Sequence, residues 1–157
     1  MIKNNMKSNK KDGKKSSKKD SNKATNVVLA SGKRKRAVAR ATLTTGAGRV
    51  RINGQLLSTV KPAIARLRIK EPSMLAGEIA NKINIDVNVM GGGWSAQAEA
   101  SRLAIARALV DYTKDKELEK KFIAYDRALL VADTRYKEQR KPNTHSNARA
   151  KRQKSYR

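Results

Sequence analysis

The 157 residues carry a formal net charge of +24, because 37 Lys and Arg face only 13 Asp and Glu. Such self-repulsion is relieved by a polyanion, so the charge favours nucleic-acid binding, with an anionic membrane surface as the weaker alternative. No run approaches the roughly 20 apolar residues of a spanning helix, and residues 1–26 lack the apolar region of a secretion signal. The absence of Cys excludes disulfides and thiolate metal ligands and fits a reducing interior.

Two segments lack the apolar residues that a core requires. Residues 1–26 contain nine Lys and almost no apolar side chains, so burial cannot offset the entropy of ordering, and we expect a disordered basic extension. Residues 135–157 contain nine Lys and Arg against the single acid Glu138, and we expect an extended tail that a polyanion orders. Residues 27–134, which lie between them, have the length of one domain.

Period-2 alternation predicts two strands early in this domain. In residues 36–43 most alternate positions are Ala or Leu, and in residues 50–52 two β-branched residues flank an Arg. Asn53-Gly54 then supplies a turn signal. We expect these strands to pair antiparallel, with one small apolar face and one arginine face. The arginines of that second face are Arg36, Arg40, Arg49 and Arg51.

Two further strands and a first helix are predicted next. Residues 83–89 show the clearest alternation, Ile and Val against Asn and Asp, and residues 27–30 are a fourth candidate strand. Residues 57–80 have helical spacing, with a break near Glu71-Pro72. The apolar positions that we expect this helix to bury are Ile64, Leu67, Leu75 and Ile79.

An alanine-rich helix is predicted over residues 95–112, where small side chains allow close packing against a sheet. A short helix at residues 116–124 and the apolar residues 128–131 close the domain. This order of strands and helices indicates the α+β class, a single sheet with helices on one face. The arginine face would remain free for a ligand.

The basic run Lys33-Arg34-Lys35-Arg36 follows a glycine. Alternating strand geometry sends Arg34, Arg36 and Arg40 to one face, spaced to follow a backbone of phosphates. A solvated edge strand protected by charge is the alternative. A nuclear-localisation signal is also compatible with the run, but such a signal is unspecific.

The glycine triplet Gly91-Gly92-Gly93 lies between the clearest strand and the alanine-rich helix, where a nucleotide-binding loop would lie. Its spacing matches neither dinucleotide nor phosphate-loop motifs, and no Lys follows it. We therefore expect a tight strand-to-helix turn with close backbone approach. The one histidine, His145, lies in the basic tail, so neither catalysis nor a metal or cofactor site is expected.

Three segments resemble one protein family. GGGWSAQAEASRLAIARAL, ending at Leu109, resembles the signature of the universal small-subunit ribosomal proteins called S-nine in bacteria and S-sixteen in eukaryotes. GKRKRAVAR from Gly32 resembles that family's first-strand motif, and RQKSYR at Arg157 resembles its C-terminus. The resemblance covers about residues 27–157. The QKSYR ending and Tyr125-Asp126-Arg127 are similar to the archaeal and eukaryotic branch.

The resemblance implies a structural, non-catalytic component of the small ribosomal subunit in the cytoplasm, bound to rRNA of the head beside other head proteins. It also implies a two-layer α/β sandwich, a four-stranded sheet with helices on one face and a left-handed βαβ crossover. The extended tail of such proteins reaches peptidyl-site tRNA, with the terminal arginine near the anticodon-loop backbone.

The candidate contacts combine the charge pattern with the resemblance. Residues expected to bind rRNA are Lys33, Arg34, Lys35, Arg36, Arg40, Arg49, Arg51, Arg140, Lys141, Arg149, Lys151 and Arg152. Residues implied by the resemblance to contact tRNA are Lys154, Ser155, Tyr156 and Arg157. The chain departs from the family pattern at Ala96, usually a glycine, in residues 1–26, and at residues 142–147, where Asn143 and Asn147 can still adopt left-handed backbone.

Two other functions compete with this one. A chromatin-like or RNA-chaperone protein would bind any duplex tolerantly. An enzyme subunit on a related fold, such as the protein part of ribonuclease P or a small-molecule kinase, would need a phosphate loop or a catalytic group, and the sequence offers neither.

Overall fold

The computed structural model describes residues 27–149. Its regular elements follow a mixed α+β order, with four strands first, then two helices, a fifth strand and two further helices. The strands are β1 (Val28–Arg34), β2 (Ala37–Thr45), β3 (Val50–Ile52), β4 (Gln55–Leu56) and β5 (Ile83–Met90). The helices are α1 (Ala63–Ala76), α2 (Glu78–Asn81), α3 (Trp94–Thr113) and α4 (Lys116–Tyr125), with single 3-10 turns at Leu57–Thr59 and Arg127–Leu129.

The sheet has the order β1-β2-β5-β3-β4, and all neighbours are antiparallel except β3 and β5. The predicted antiparallel pairing of β2 with β3 is wrong, because β5 lies between them. The connection after β2 is bound to the start of β5 instead. The Asn84 side-chain oxygen accepts from the backbone N–H groups of Ala47 (3.0 Å) and Arg49 (3.2 Å). These bonds hold β3 beside β5.

The sheet has five strands where four were expected. The additional strand, β4, pairs with β3 across Asn53-Gly54, whose positive φ values of 50° and 80° confirm the predicted turn. Chain order takes β3 through α1 and α2 to the parallel strand β5. The left-handed sense of that crossover stays a prediction.

The core lies between one face of the sheet and α3, and the predicted alanine-rich helix is confirmed. Alternate residues of β2 and β5, from Ala37 to Leu43 and from Ile83 to Val89, are buried. α3 crosses β1 so closely that a Cβ on Gly32 would lie 2.2 Å from the Ala100 carbonyl oxygen. Small residues on both elements therefore set the distance between helix and sheet.

The predicted helix over residues 57–80 is three separate pieces. The first is the 3-10 turn, and α1 then continues through Pro72 to Ala76 and ends at Gly77, whose φ is +58°. The expected break at Pro72 is wrong. The ring is fully buried, which offsets the backbone hydrogen bond that proline cannot make.

The predicted buried positions of this segment are wrong at Ile64 and Leu67, whereas Leu75 and Ile79 pack against the core. Ile64 and Leu67 are 61% and 63% exposed, and Leu75 and Ile79 are only partly buried. The buried residues of α1 are Ala65, Ile69, Pro72 and Ala76. α1 packs on α3, and the orientation of α1 in this contact turns Ile64 and Leu67 toward solvent.

The last predicted helix is confirmed as α4. Its N-cap residue Asp115 accepts a hydrogen bond from the Glu117 N–H at 2.9 Å, and Leu118 and Phe122 are buried. The following 3-10 turn buries Leu129. The chain then leaves the core, and residues 132–149 form neither helix nor strand.

Candidate nucleic-acid interface

One face of the sheet is not covered by helices, and we call it the open face. Arg40 on β2 and Arg51 on β3 are both exposed there. Arg40 lies between Ser31 of β1 and Asn88 of β5, whereas Arg51 lies opposite Asp86. Within residues 27–149, neither arginine takes part in a salt bridge. Arg49, just before β3, is exposed as well.

The basic run divides between three environments, so the expectation that Arg34, Arg36 and Arg40 share one face is wrong. Lys33 is exposed on the open face of β1, since it pairs with Val38 in the row next to Arg40. Lys35 and Arg36 form the β1–β2 turn, where Lys35 has φ +52°. Arg34 is on the helix side of the sheet. Because the turn interrupts the alternation, the pattern of residues that face each side of the sheet in β2 does not continue into β1.

Arg34 contributes to an ion network on the helix side. Its Nε donates to Glu99 of α3 at 2.6 Å, and its Nη1 donates to Asp133. Glu99 also accepts from Arg68 of α1 at 2.6 Å, and Asp133 also accepts from Arg135. The Glu99 hydrogen bond is the main cause that raises the pKa of Arg34. Because its charge is already paired, Arg34 is a weaker candidate for a phosphate contact than its neighbours.

A separate ion cluster on the helix side is centred on a less exposed arginine. Arg102 of α3, with a side chain only 12% exposed, is 2.6 Å from Glu71 and donates to Asp126 at 2.9 Å. The Glu71 contact has charge proximity without hydrogen-bond alignment. The Ala128 N–H and then Arg102 hold the pKa of Asp126 below its usual range. Sequence reasoning missed both the network and this cluster, because their partners are dispersed along the chain and the acids share no motif.

The β1–β2 turn and the tail enclose a basic cleft of about 560 Å³. Lys35 and Arg36 line one side, and Tyr136, Lys137 and Arg140 line the other. The first turn of α3 borders the same cleft, and its N-cap, Gly93, provides no side-chain cap. The structure thus brings Arg140 next to Lys35 and Arg36, which lie more than a hundred positions earlier in the sequence. Three cations therefore line one cleft, an arrangement that favours an anion.

Gly92 and Gly93 of the glycine triplet line this basic cleft. The expected tight turn with close backbone approach is confirmed. Gly91 has φ +76°, and a Cβ there would lie 2.5 Å from the Arg36 carbonyl oxygen. Gln97 Nε2 donates to the Gly91 carbonyl at 3.1 Å and ties the turn to α3. Ala96 lies inside α3 and is buried, so its backbone needs no glycine.

The described part of the tail closes a loop. The Lys141 N–H donates to the Asn147 carbonyl at 3.2 Å, and Thr144 Oγ1 donates to the Lys141 carbonyl at 2.7 Å. Glu138 pairs with Arg149 across this loop. Left-handed backbone is confirmed at Asn143 and also occurs at His145 and Ser146, but the expectation for Asn147 is not met. Lys141 is exposed, and the exposed Arg149 keeps only a solvent-screened pair.

Several predicted sites lie outside the described residues. They are Lys151, Arg152, Lys154, Ser155, Tyr156 and Arg157, together with the basic extension of residues 1–26. Within residues 27–149, no cluster of His, Asp and Glu is placed to hold a metal ion. No helix in that part of the chain is long and apolar enough to cross a membrane.

The fold and these surfaces define a strongly basic α+β protein with an uncovered cationic sheet face and a basic cleft. Comparison with known proteins gives the family. The family model described as ribosomal protein S9/S16 matches residues 32–157. Two archaeal relatives, from Methanococcus vannielii and Methanococcus maripaludis, are each 46% identical over 132 residues, which is 83% of this chain and 98% of the relative. Both are named small ribosomal subunit protein uS9.

The chain belongs to the ribosomal protein S9/S16 family, and the resemblance stated from its motifs is confirmed. It is a ribosomal protein, a structural constituent of the ribosome that takes part in translation. The family is structural rather than catalytic, which counts against the enzyme-subunit hypothesis. The archaeal relatives agree with the branch that the QKSYR ending indicated.

Proposed function

We propose that this protein belongs to the head of the cytoplasmic small ribosomal subunit, where it binds rRNA, adjoins other head proteins and contacts peptidyl-site tRNA through its last residues. The names of the relatives support the small subunit. The observation that carries the rRNA contact is the open face, where Arg40 and Arg51 are exposed and form no salt bridge with another described residue. Such a surface grips phosphates without reading bases.

The open face supplies the first rRNA contact. Arg40 and Lys33 lie in adjacent rows of β1 and β2, within reach of neighbouring phosphates. Arg51 extends the same surface beyond β5, whereas Arg49, just before β3, lines the groove between the β3–β4 hairpin and α1. A planar guanidinium can donate two hydrogen bonds to one phosphate, and this pairing is stronger than a neutral hydrogen bond.

The basic cleft supplies the second contact. Lys35, Arg36 and Arg140 converge on it, and the N–H groups of the first turn of α3 add positive potential. Tyr136, 72% exposed, offers a ring for an unstacked base. A backbone that crosses this cleft would hold residues 136–140 against the domain. The tRNA contact of Lys154, Ser155, Tyr156 and Arg157 rests on the family resemblance.

Reconstitution tests the proposal. Small subunits lacking this protein are rebuilt with the full chain or with an Arg36→Gln/Arg40→Gln variant, washed at high salt and sedimented. We expect stoichiometric co-sedimentation of the full chain and a loss of the variant at lower salt. A Lys120→Gln/Lys121→Gln variant, which removes the same charge from exposed positions of α4, should behave like the full chain. Tolerant binding to any duplex without retention on subunits would favour the RNA-chaperone alternative.

A further inference from the structure

A groove of about 570 Å³ lies on the flank of the domain, between the β3–β4 hairpin and the α1–α2 pair. We call it the lateral groove. Leu56 and Leu57 line it from the hairpin and Met74 lines it from α1. Leu56 is 50% exposed and Met74 is 65% exposed. Leu56 and Met74 belong neither to the basic cleft nor to the hydrophobic core.

The apolar surface continues from the groove along the outside of α1. Leu67, 63% exposed, lies seven residues before Met74 and therefore on the same helical face. Lys70 falls between them on that face and lines the groove as well. This gives α1 an exposed apolar stripe with one cation at its centre. Contiguous exposed apolar surface bounded by charge marks an interaction site rather than ordinary solvated surface.

The charges that line the lateral groove favour a partner with negative charge. Arg49 and Lys70 line it, and no acidic residue does so. A segment with an apolar anchor beside carboxylates would satisfy both features, since the anchor fills the aliphatic groove and the carboxylates meet the cations. Residues 1–26 of this chain do not fit, because they carry nine Lys against two Asp.

RNA is a poorer match for the lateral groove. Proteins hold unpaired bases mainly by stacking on aromatic rings or on arginine planes. The apolar part of the lining is aliphatic, and no described aromatic residue lines the groove. A phosphate held against Leu56, Leu57 and Met74 would lose water without compensation. The open face and the basic cleft are better RNA surfaces on the same molecule.

We propose that the lateral groove and the α1 stripe bind an acidic-apolar segment of a neighbouring protein, through Leu56, Leu67 and Met74 and the cations Arg49 and Lys70. This proposal rests on the proposed function, because it requires an assembly that supplies the neighbour. In that assembly two surfaces of this protein have different partners. RNA lies against the open face, and a protein lies against α1.

Site-specific crosslinking in assembled small subunits tests this. The chain contains no Cys, so Met74→Cys can carry a single benzophenone probe. Asn88→Cys, exposed on the open face beside Arg40, carries the matched probe. Illumination should link Met74→Cys to a protein peptide that contains Asp or Glu, and link Asn88→Cys to rRNA. A Glu119→Cys probe on α4 serves as the background.

The outcomes separate the two proposals. Retention on subunits with an rRNA crosslink at Asn88→Cys supports the proposed function whatever Met74→Cys does. An rRNA crosslink at Met74→Cys, or a yield no higher than that of the Glu119→Cys probe, overturns the docking proposal alone. Lys70→Glu should reduce the protein crosslink several-fold, whereas Lys120→Glu should not, and equal yields would also overturn it. Failure of every probe-bearing chain to enter subunits would overturn both.

Discussion

Arg34, the last residue of β1, donates to the carboxylate of Asp133, 99 residues later, and so fixes the point where the tail leaves the domain. Asp133 also accepts from the Arg135 N–H at 2.8 Å and from its guanidinium. The Arg135 side chain and backbone N–H hold the pKa of Asp133 well below its usual range. We call Arg34, Asp133 and Arg135 the tail clamp.

Replacing Asp133 should loosen the start of the tail and leave the core intact. Asp133→Asn removes the charge that Arg34 and Arg135 share, so amide exchange of residues 135–140 in the free protein should accelerate several-fold. Protection of β2 and β5 should not change. Asp111→Asn, an exposed acid of α3, is the matched control. Unchanged exchange at residues 135–140 would show that other contacts hold the tail.

The tail clamp should resist mild acid. A carboxyl whose folded-state pKa is depressed stabilises the fold above its unfolded pKa, about 3.9 for Asp, and that contribution disappears as pH falls through the folded value. Because Arg135 and Arg34 lower the pKa of Asp133, the clamp should stay closed from pH 7 to about pH 4 and open only in stronger acid. Protease cleavage after Arg135, measured across this range with an acid-tolerant protease, should show a flat profile. If cleavage already rises as the pH is lowered from 7 to 5, Arg34 and Arg135 are not the partners that hold the Asp133 carboxylate.

Gly32→Ala should destabilise the domain. The new Cβ would lie 2.2 Å from the Ala100 carbonyl oxygen and 2.7 Å from the Ala104 N, both backbone atoms that cannot turn aside. α3 would have to move off β1, and overpacking of this kind costs roughly 1–3 kcal/mol. Urea unfolding measures the free energy of unfolding. Gly93→Ala, where a Cβ meets nothing within 4 Å, should lose less. Equal losses would refute the close packing of β1 on α3.

The sequence predicted what local periodicity determines. β2, β5 and α3 follow from alternation at Ala37 to Leu43, at Ile83 to Val89, and from the alanine spacing of α3. The turn at Lys35 and Arg36 was not visible in that alternation, so Arg34 was assigned to the wrong face. Its actual position depends on Glu99 and Asp133, which are distant in sequence.

Contacts between elements account for the other errors. The pairing of β3 with β5 depends on Asn84, whose side chain binds the loop before β3. Ile64 and Leu67 are exposed because α1 buries a different face, with Ala65, Ile69, Pro72 and Ala76, and the choice of that face depends on its packing against α3. Similarly, Lys35, Arg36 and Arg140 were each candidates, but their shared cleft required the tertiary fold.

The two open-face arginines should contribute unequally to rRNA binding. Arg40 has the neutral neighbours Ser31 and Asn88, whereas Arg51 lies opposite Asp86, which already offsets part of its charge. Arg40→Gln should lower the slope of log K against log salt by about 0.7–0.9, the value for one lost phosphate contact. Arg51→Gln should lower it less, and Lys120→Gln should not lower it. Titration of an rRNA head fragment at several salt concentrations measures the slopes. An unchanged slope for Arg40→Gln would show that the open face is a solvated surface and not an rRNA contact.

Deleting residues 155–157 should leave folding and subunit incorporation intact but speed the release of tRNA from the peptidyl site. Ser155, Tyr156 and Arg157 add little surface that a core could bury, and the tail clamp and the basic cleft hold the tail upstream of them.

A guanidinium beside the anticodon loop can form charge-assisted hydrogen bonds, each contributing about 1.5–3 kcal/mol. Dissociation of an anticodon stem-loop from reconstituted subunits should therefore be clearly faster, while rRNA contacts retain part of the affinity. Arg157→Lys, which keeps the charge but loses the planar pair, should give an intermediate rate. Equal rates at equal incorporation would remove the tRNA contact and leave rRNA packing as the role of the tail.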